Sequence, residues 1–249
     1  MLLSLLSGGS IQEILISLIL YLPILFLALS IHETAHGYAA WKCGDPTAHN
    51  LGRLTLNPAK HLDLMGTLCM AVFGFGWAKP VPINTRYFRK PKRDMAISAA
   101  AGPLSNFLLG VLFAALYGLF CALYSEQQFL LLFQPENSSE TLYNIYYWAS
   151  NLCWIGASVN LVFAFFNLIP IPPFDGSRIF LSFLPTKTYF AVMRYERQIM
   201  MGILIALLVC SFVLNFSPVG WLAEKLSLSI ADPIYDFLLK DLLLPEFFS

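Results

Sequence analysis

The sequence predicts an all-α polytopic membrane protein with about four full transmembrane helices, a short re-entrant segment and a small membrane-surface β element. Of the 249 residues, 57% are hydrophobic and 12% are charged, which is about half the charged fraction of a soluble domain. Fifteen basic and fifteen acidic side chains cancel, so no net charge attracts nucleic acid. We therefore expect an integral protein whose main partner is the lipid bilayer.

Runs without acidic, basic or histidine residues mark the expected spans, because a bilayer core needs about 20 apolar residues. Four such runs occupy residues 14–31, 95–124, 141–174 and 198–223. A further uncharged run, 64–78, is shorter and contains three glycines. Its length favours a re-entrant or partly inserted segment over a full span.

The basic residues predict the orientation of the chain. Nine of the fifteen lie within residues 42–94 and four more within 175–197, whereas 125–148 contain none. Cytoplasmic loops carry the excess of Lys and Arg in membrane proteins. We therefore expect the N-terminus outside and both basic connections in the cytoplasm.

Two further elements are expected outside the spans. Segments 52–57 and 79–84 are bounded by turn residues and predict short strands that pair at the membrane surface. After Pro218, charged residues recur too closely for another span. The sequence therefore predicts a membrane core over residues 1–216 and an interfacial amphipathic helix over 217–249.

The first uncharged run continues directly into the pentapeptide His32-Glu33-Thr34-Ala35-His36. On a helix, residues four apart lie about 40° apart around the axis, so both imidazoles project from one face and suit a single zinc ion. Glu33 lies about 100° away and suits a general base that acts on a metal-bound water. Such pentapeptides also occur by chance, but ionisable groups after a long apolar run are costly and seldom without function.

A catalytic zinc site usually has three protein ligands, so the motif leaves one ligand to be found. The candidates are His49, His61 and Asp175, and Asp175 is favoured because it closes the third long run. With the predicted orientation, the first and third spans both end on the cytoplasmic side. His36 and Asp175 would then lie at the same depth, whereas a full crossing by residues 64–78 would separate them.

Prolines at 170, 172 and 173 precede Asp175 and cannot continue a regular helix. Unwound backbone is tolerated in a membrane where it lines a cavity, and an extended peptide could pair with it as an added strand. Asn167 lies just before the prolines and could donate to the oxyanion of a tetrahedral intermediate. The alternative is that Asn167 bonds a carbonyl of its own helix.

With these motifs, the sequence resembles the site-2 protease family of intramembrane zinc metalloproteases over residues 11 to about 183. The resemblance also rests on four further motifs: Ala39-Ala-Trp-Lys-Cys-Gly-Asp-Pro-Thr-Ala48, Gly52-Arg-Leu-Thr-Leu-Asn-Pro58, Gly76-Trp-Ala-Lys-Pro-Val-Pro82 and Ala101-Gly-Pro-Leu-Ser-Asn106. Phe174 stands where the family usually has Leu in a Leu-Asp-Gly motif. No connection is long enough for a PDZ or CBS domain, so the resemblance is to the minimal branch.

The resemblance implies one Zn²⁺ per chain, held by His32, His36 and Asp175, with Glu33 activating water for peptide-bond cleavage inside the membrane. It also implies substrates that are single-span membrane proteins, cleaved for signalling or for signal-peptide clearance. The compact size favours a bacterial inner membrane. The alternative function is a non-hydrolytic scaffold that binds membrane partners, although a structural zinc would not need the general base Glu33.

Two more polar residues keep two interpretations each. Asn106 lies beside Gly102 and Pro103 in the second run, where small and polar residues often serve helix packing. It could instead line the cavity of the active site. His61 could be a surface histidine of the cytoplasmic connection, or a group that supports or gates the metal site.

Overall fold

A computed structural model describes residues 11–73, 78–135 and 138–214, and a few residues between 216 and 233. Two short 3₁₀ helices cover Pro58–Lys60 and Thr85–Tyr87. The α-helices in chain order are α1 Ile11–Lys42, α2 Thr47–Asn50, α3 Leu64–Phe73, α4 Pro91–Phe133, α5 Glu140–Asn167, α6 Asp175–Leu181, α7 Thr186–Met193 and α8 Glu196–Phe212. Most of the described chain is therefore helical.

Among the described residues, three helices are long and apolar enough to cross a membrane: Leu18–Lys42 in α1, Pro91–Gln128 in α4, and α5. They overlap the first three predicted runs, and α5 ends at Asn167, before the end of the third run, because the prolines that follow cannot continue it. The fourth run gives α8, which has 17 residues and is shorter than the roughly 20 residues of a full crossing. Three candidate spans are thus described, and a fourth span stays a prediction.

The predicted pair of strands over 52–57 and 79–84 is wrong, since neither segment is a strand. Within the described ranges, β pairing is limited to an isolated antiparallel bridge between Leu62 and Ala78. The second segment contains two prolines, which cannot donate to a ladder. Its carbonyls instead accept from the guanidinium of Arg53, at 2.8 and 3.2 Å.

Two of the remaining predictions are only partly covered by the described residues. The proposed re-entrant segment begins with α3, whose first turn is capped by Asp63: its carboxylate accepts from the N–H of Gly66 at 2.9 Å. Residues 74–77 lie outside the described ranges, so re-entry stays a prediction. Most of the predicted tail 217–249 also lies outside them.

The described residues form two compact units. One contains those of Met1–Asn106 and Phe163–Pro218, and the other those of Phe107–Val162 and Val219–Ser249. In the second unit, α4 and α5 approach closely at buried alanines and at glycines where a Cβ would overlap a neighbouring side chain. Small residues of this kind allow close packing of membrane helices. Every candidate site residue belongs to the first unit.

Candidate metal centre

The structure brings the two motifs together at one point. His32 and His36 lie one turn apart on α1, and their Nε2 atoms are 2.9 Å apart. Asp175 is the first residue of α6, and its Oδ2 lies 3.1 Å from each Nε2. Both histidines are buried and Asp175 is largely so. Three atoms that can bind a metal therefore form a nearly equilateral triangle.

The partners of the remaining ring nitrogens decide which tautomer each histidine adopts. Nδ1 of His36 lies 2.7 Å from the carbonyl oxygen of Ser98, which can only accept, so Nδ1 carries the proton. Asn106 donates through Nδ2 to the carbonyl of Ala28 at 3.2 Å. Its Oδ1 therefore faces Nδ1 of His32, at 2.6 Å, and accepts from it. Both Nε2 atoms then direct lone pairs into the triangle.

This donor set fits a zinc ion. Two imidazole lone pairs and a carboxylate at such short distances repel one another unless a cation or a shared proton lies between them. Ligand atoms about 2.0–2.1 Å from a tetrahedral zinc lie about 3.3 Å from one another, close to the separations of 2.9 to 3.1 Å seen here. Two histidines and one carboxylate are also a known catalytic ligand set, which leaves a fourth position for water.

The charge on Asp175 supports the same interpretation. Burial raises the pKa of its carboxyl, but when the site holds a proton shared with the imidazoles in place of a cation, the positive charge at His36 and hydrogen bonding to both histidines outweigh that effect. The pKa of Asp175 is therefore held well below its ordinary value. The carboxylate is ionised at neutral pH, as a metal ligand must be.

Two glycines allow the backbone to approach this site closely. A Cβ on Gly102 of α4 would overlap the His36 ring and lie 2.7 Å from Cε1 of His32, so the helix backbone lies directly against both imidazoles. A Cβ on Gly176 would overlap the carbonyl group of Leu168, which belongs to the turn before α6. Gly176 thus allows α6 to begin where Asp175 can reach the histidines.

Glu33 lies outside the triangle and has a defined partner of its own. Its Oε2 accepts a hydrogen bond from the backbone N–H of Val81 at 2.8 Å. Val81 belongs to the proline-rich segment whose carbonyls accept from Arg53. A second contact fixes this segment, because the buried carboxylate of Asp45 accepts from the N–H of Asn84 at 2.6 Å. The orientation of Glu33 is therefore set by the connection between α1 and α4.

The other two histidines do not join the metal centre. His49 is exposed and stacks on Trp41, with 4.7 Å between the ring centroids. His61 is fully buried, so its interpretation as a surface histidine is wrong. Its Nε2 donates to the carbonyl of Thr55 at 2.7 Å, and the Thr34 hydroxyl donates to the same carbonyl at 2.7 Å. The carbonyl of Thr55 thus links His61 to Thr34, which follows Glu33 on α1.

The remaining two candidates have contrasting positions. Asn167 donates through Nδ2 to the carbonyl of Phe163 at 3.0 Å, which is the bond that its alternative interpretation describes, and its oxyanion role stays a prediction. Asn106 is fully buried and holds His32. The bonds of Asn106 and Ser98 to the histidines and the contact at Gly102 were not predicted from the sequence. The sequence signal for these contacts is the presence of small and polar residues within the otherwise apolar α4.

Comparison with known proteins decides the family. Residues 17–211 match the family described as Peptidase family M50. The chain belongs to this family, the site-2 proteases. The resemblance stated from the sequence motifs is therefore confirmed, and the apolar helices of an M50 protein identify an integral membrane protein.

Several M50 relatives carry names that refer to zinc. The chain is 42% identical over 171 residues to "Putative zinc metalloprotease YwhC" of Bacillus subtilis, which covers 68% of this chain and 72% of that protein. It is 28% identical over 156 residues to "Putative zinc metalloprotease Rip2" of Mycolicibacterium smegmatis, and 30% identical over 120 residues to "Putative zinc metalloprotease MJ0611" of Methanocaldococcus jannaschii. These matches cover 60% and 47% of this chain and 51% and 49% of the two proteins. No solved structure gives a significant match.

Proposed function

We propose that this M50 protein is a zinc-dependent intramembrane endopeptidase that cleaves the transmembrane segments of single-span membrane proteins. The observation that carries the proposal is the triangle of His32 Nε2, His36 Nε2 and Asp175 Oδ2, with separations of 2.9 to 3.1 Å. These three residues would hold one Zn²⁺ per chain. When bound, zinc supplies Lewis acidity that lowers the pKa of a water ligand to about 7 and polarises a carbonyl.

Glu33 is the proposed general base. It follows His32 on α1 and is therefore turned by about 100° from the metal-binding face. From there its carboxylate takes a proton from the attacking water and delivers it to the departing amine, so that peptide and water become an acid and an amine. The Val81 N–H donates to one oxygen of the Glu33 carboxylate at 2.8 Å. The carboxylate has further lone pairs that can accept from the water.

Asn167 is the proposed donor to the oxyanion. Its hydrogen bond to the carbonyl of Phe163 uses one N–H of the side-chain amide, and the amide has two. The second N–H lies at the end of α5, where the chain turns away from the helix towards Asp175. A donor placed there would stabilise negative charge on the carbonyl oxygen as the bond is attacked.

The proposed setting follows from the charges and the helices. The excess of basic residues within 42–94 and 175–197 supports an N-terminus outside and an active site near the cytoplasmic face. We propose that α8, together with part of the remainder of the fourth uncharged run (198–223), forms the fourth span. We also propose that residues 64–78 are re-entrant. A bacterial inner membrane is the proposed location. Release of a cytoplasmic fragment or clearance of signal peptides would be the outcome of cleavage.

The test compares cleavage of a membrane-spanning reporter by the full chain in vesicles, for the wild type and for Glu33→Gln. Loss of a general base costs about 10²–10⁴-fold in rate, so the variant should retain zinc and lose nearly all cleavage. Glu140→Gln, at the exposed start of α5, is the matched control and should cleave normally. Undiminished cleavage by Glu33→Gln would refute the mechanism. Zinc-bound wild type that cleaves no membrane-spanning reporter would favour the scaffold.

A further inference from the structure

A dense group of basic residues lies where α4 enters the membrane. Arg89, Lys90, Lys92 and Arg93 lie within five positions, and the candidate span begins at Pro91. Basic clusters next to a transmembrane helix attract anionic lipids, and basic pockets between such helices bind their headgroups. The positive-inside rule alone could account for basic residues at this position. A specific lipid site therefore requires a shaped cavity beside them.

Such a site is present beside this cluster. An open cavity of about 880 Å³ is bounded by Lys90, Lys92 and Arg93 on one side, and by Ser182 and Phe183 after α6 on the other. Both sides belong to the same compact unit. The cavity therefore has a cationic wall formed by the start of α4.

The cationic side chains around the cavity differ in whether an acidic group already neutralises them. The guanidinium of Arg93 pairs with the buried carboxylate of Asp94 at 2.7 Å. Lys92 Nζ donates to the carbonyl of Leu184, which holds this ammonium beside the cavity without neutralising it. Lys90 is exposed. Lys90 and Lys92 thus supply a net positive charge to the wall, while Arg93 is largely compensated.

The floor of the cavity is apolar and leads along α4. It is formed by Ala96, Ile97 and Ala100, and Leu104 follows one turn later on the same face. Ile97 and Leu104 are 45% and 57% exposed, and the neighbouring Phe183 is 82% exposed. In a membrane-spanning helix, such a stripe faces lipid chains. Cationic side chains followed by an apolar stripe match the order of headgroup and acyl chain in a phospholipid.

We propose that this cavity binds one anionic phospholipid, with its phosphate at Lys90 and Lys92 and an acyl chain along Ile97 and Leu104. The apolar floor favours a lipid over a free phosphate ion, which would gain nothing from Phe183 or Leu104. The Ser182 hydroxyl already donates to the carbonyl of Ile179 at 2.6 Å, so the two lysines provide the selectivity for charge. This inference is independent of the proposed proteolysis.

The test measures retained lipid by native mass spectrometry of the full chain, released from vesicles of equal parts phosphatidylglycerol and phosphatidylcholine. Each cation near an anionic surface contributes about 1 kcal/mol, or about fivefold in affinity. The double variant Lys90→Gln/Lys92→Gln should therefore retain at least about tenfold less phosphatidylglycerol. It leaves in place the backbone N–H of Lys90, which donates to the carboxylate of Asp94 at 2.8 Å.

The matched control is Lys60→Gln/Lys187→Gln, which removes the same charge from two exposed lysines outside the cavity. It should retain phosphatidylglycerol like the wild type, and Phe183→Ala should retain severalfold less. Equal losses in both double variants would overturn the proposal in favour of diffuse attraction by net charge. Equal retention of the two lipids by the wild type would also overturn it. Displacement of phosphatidylglycerol by millimolar inorganic phosphate, with Phe183→Ala unchanged, would indicate an ion site instead.

Discussion

Oδ1 of Asn106 accepts a hydrogen bond from Nδ1 of His32 at 2.6 Å, across a separation of 74 residues. This bond fixes the tautomer of His32 and turns its Nε2 towards His36 and Asp175. Partners of this kind on the far nitrogen of a metal-binding histidine orient the ring and raise its basicity. The site therefore depends on the packing of α4 against α1 as much as on the histidine motif itself.

Replacing Asn106 by leucine should weaken zinc binding by about 10–100-fold, the usual cost of losing such a partner. The N–H of His32 would be left buried without an acceptor, which also costs about 1–3 kcal/mol. Competition with a chelator measures the zinc affinity. Asn160→Leu is the control, since Asn160 is an equally buried asparagine on α5 whose Nδ2 donates to Gly156. An affinity unchanged in Asn106→Leu would show that this bond does not position the ligand.

Gly102→Ala tests the contact between α4 and the two imidazoles. The new Cβ would overlap the His36 ring, and overpacking typically costs about 1–3 kcal/mol. Because the rings must tilt or the helix must shift, we expect zinc affinity to fall by tenfold or more. Gly202→Ala on α8 is the control, since a Cβ there meets nothing within 4 Å. If both variants bind zinc like the wild type, α4 does not constrain the ligand geometry.

Val81→Pro removes the backbone N–H that Glu33 accepts from at 2.8 Å and should leave the three metal ligands in place. We expect zinc content to stay at the wild-type level while kcat falls about tenfold or more, because the general base loses its fixed orientation. Val81→Ala keeps the N–H, although it shortens a buried side chain. A comparable loss of kcat in Val81→Ala would attribute the effect to packing instead of the hydrogen bond.

The proximity of the three proposed ligands could be predicted because it depends on two simple regularities. Helical periodicity places His32 and His36 on one face, and the distribution of basic residues predicts that the first and third runs end on one side of the membrane. Both are features of local sequence or of composition. The structure then brings Asp175 to 3.1 Å from both imidazoles, without any contribution from His49 or His61.

The features that sequence analysis did not find depend on contacts between distant segments. The hydrogen bonds from the two histidines to Ser98 and Asn106 require a particular register of α4 against α1, which no local pattern specifies. The predicted strands are absent for a different reason: the prolines on either side of Val81 cannot donate to a ladder. Several N–H groups and carbonyls of segment 79–84 bond to side chains instead of to a second strand. Glu33 is one of these partners, since it accepts from the N–H of Val81.

Zinc content per chain is the most direct test of the central claim. The measurement uses purified, detergent-solubilised protein and compares the wild type with Asp175→Ala and with the control Glu140→Ala, an exposed residue outside the site. We predict close to one zinc per chain in the wild type and in the control, and a sharp fall in Asp175→Ala. Zinc that is absent from the wild type, or that is unaffected by Asp175→Ala, would contradict the assignment of this site.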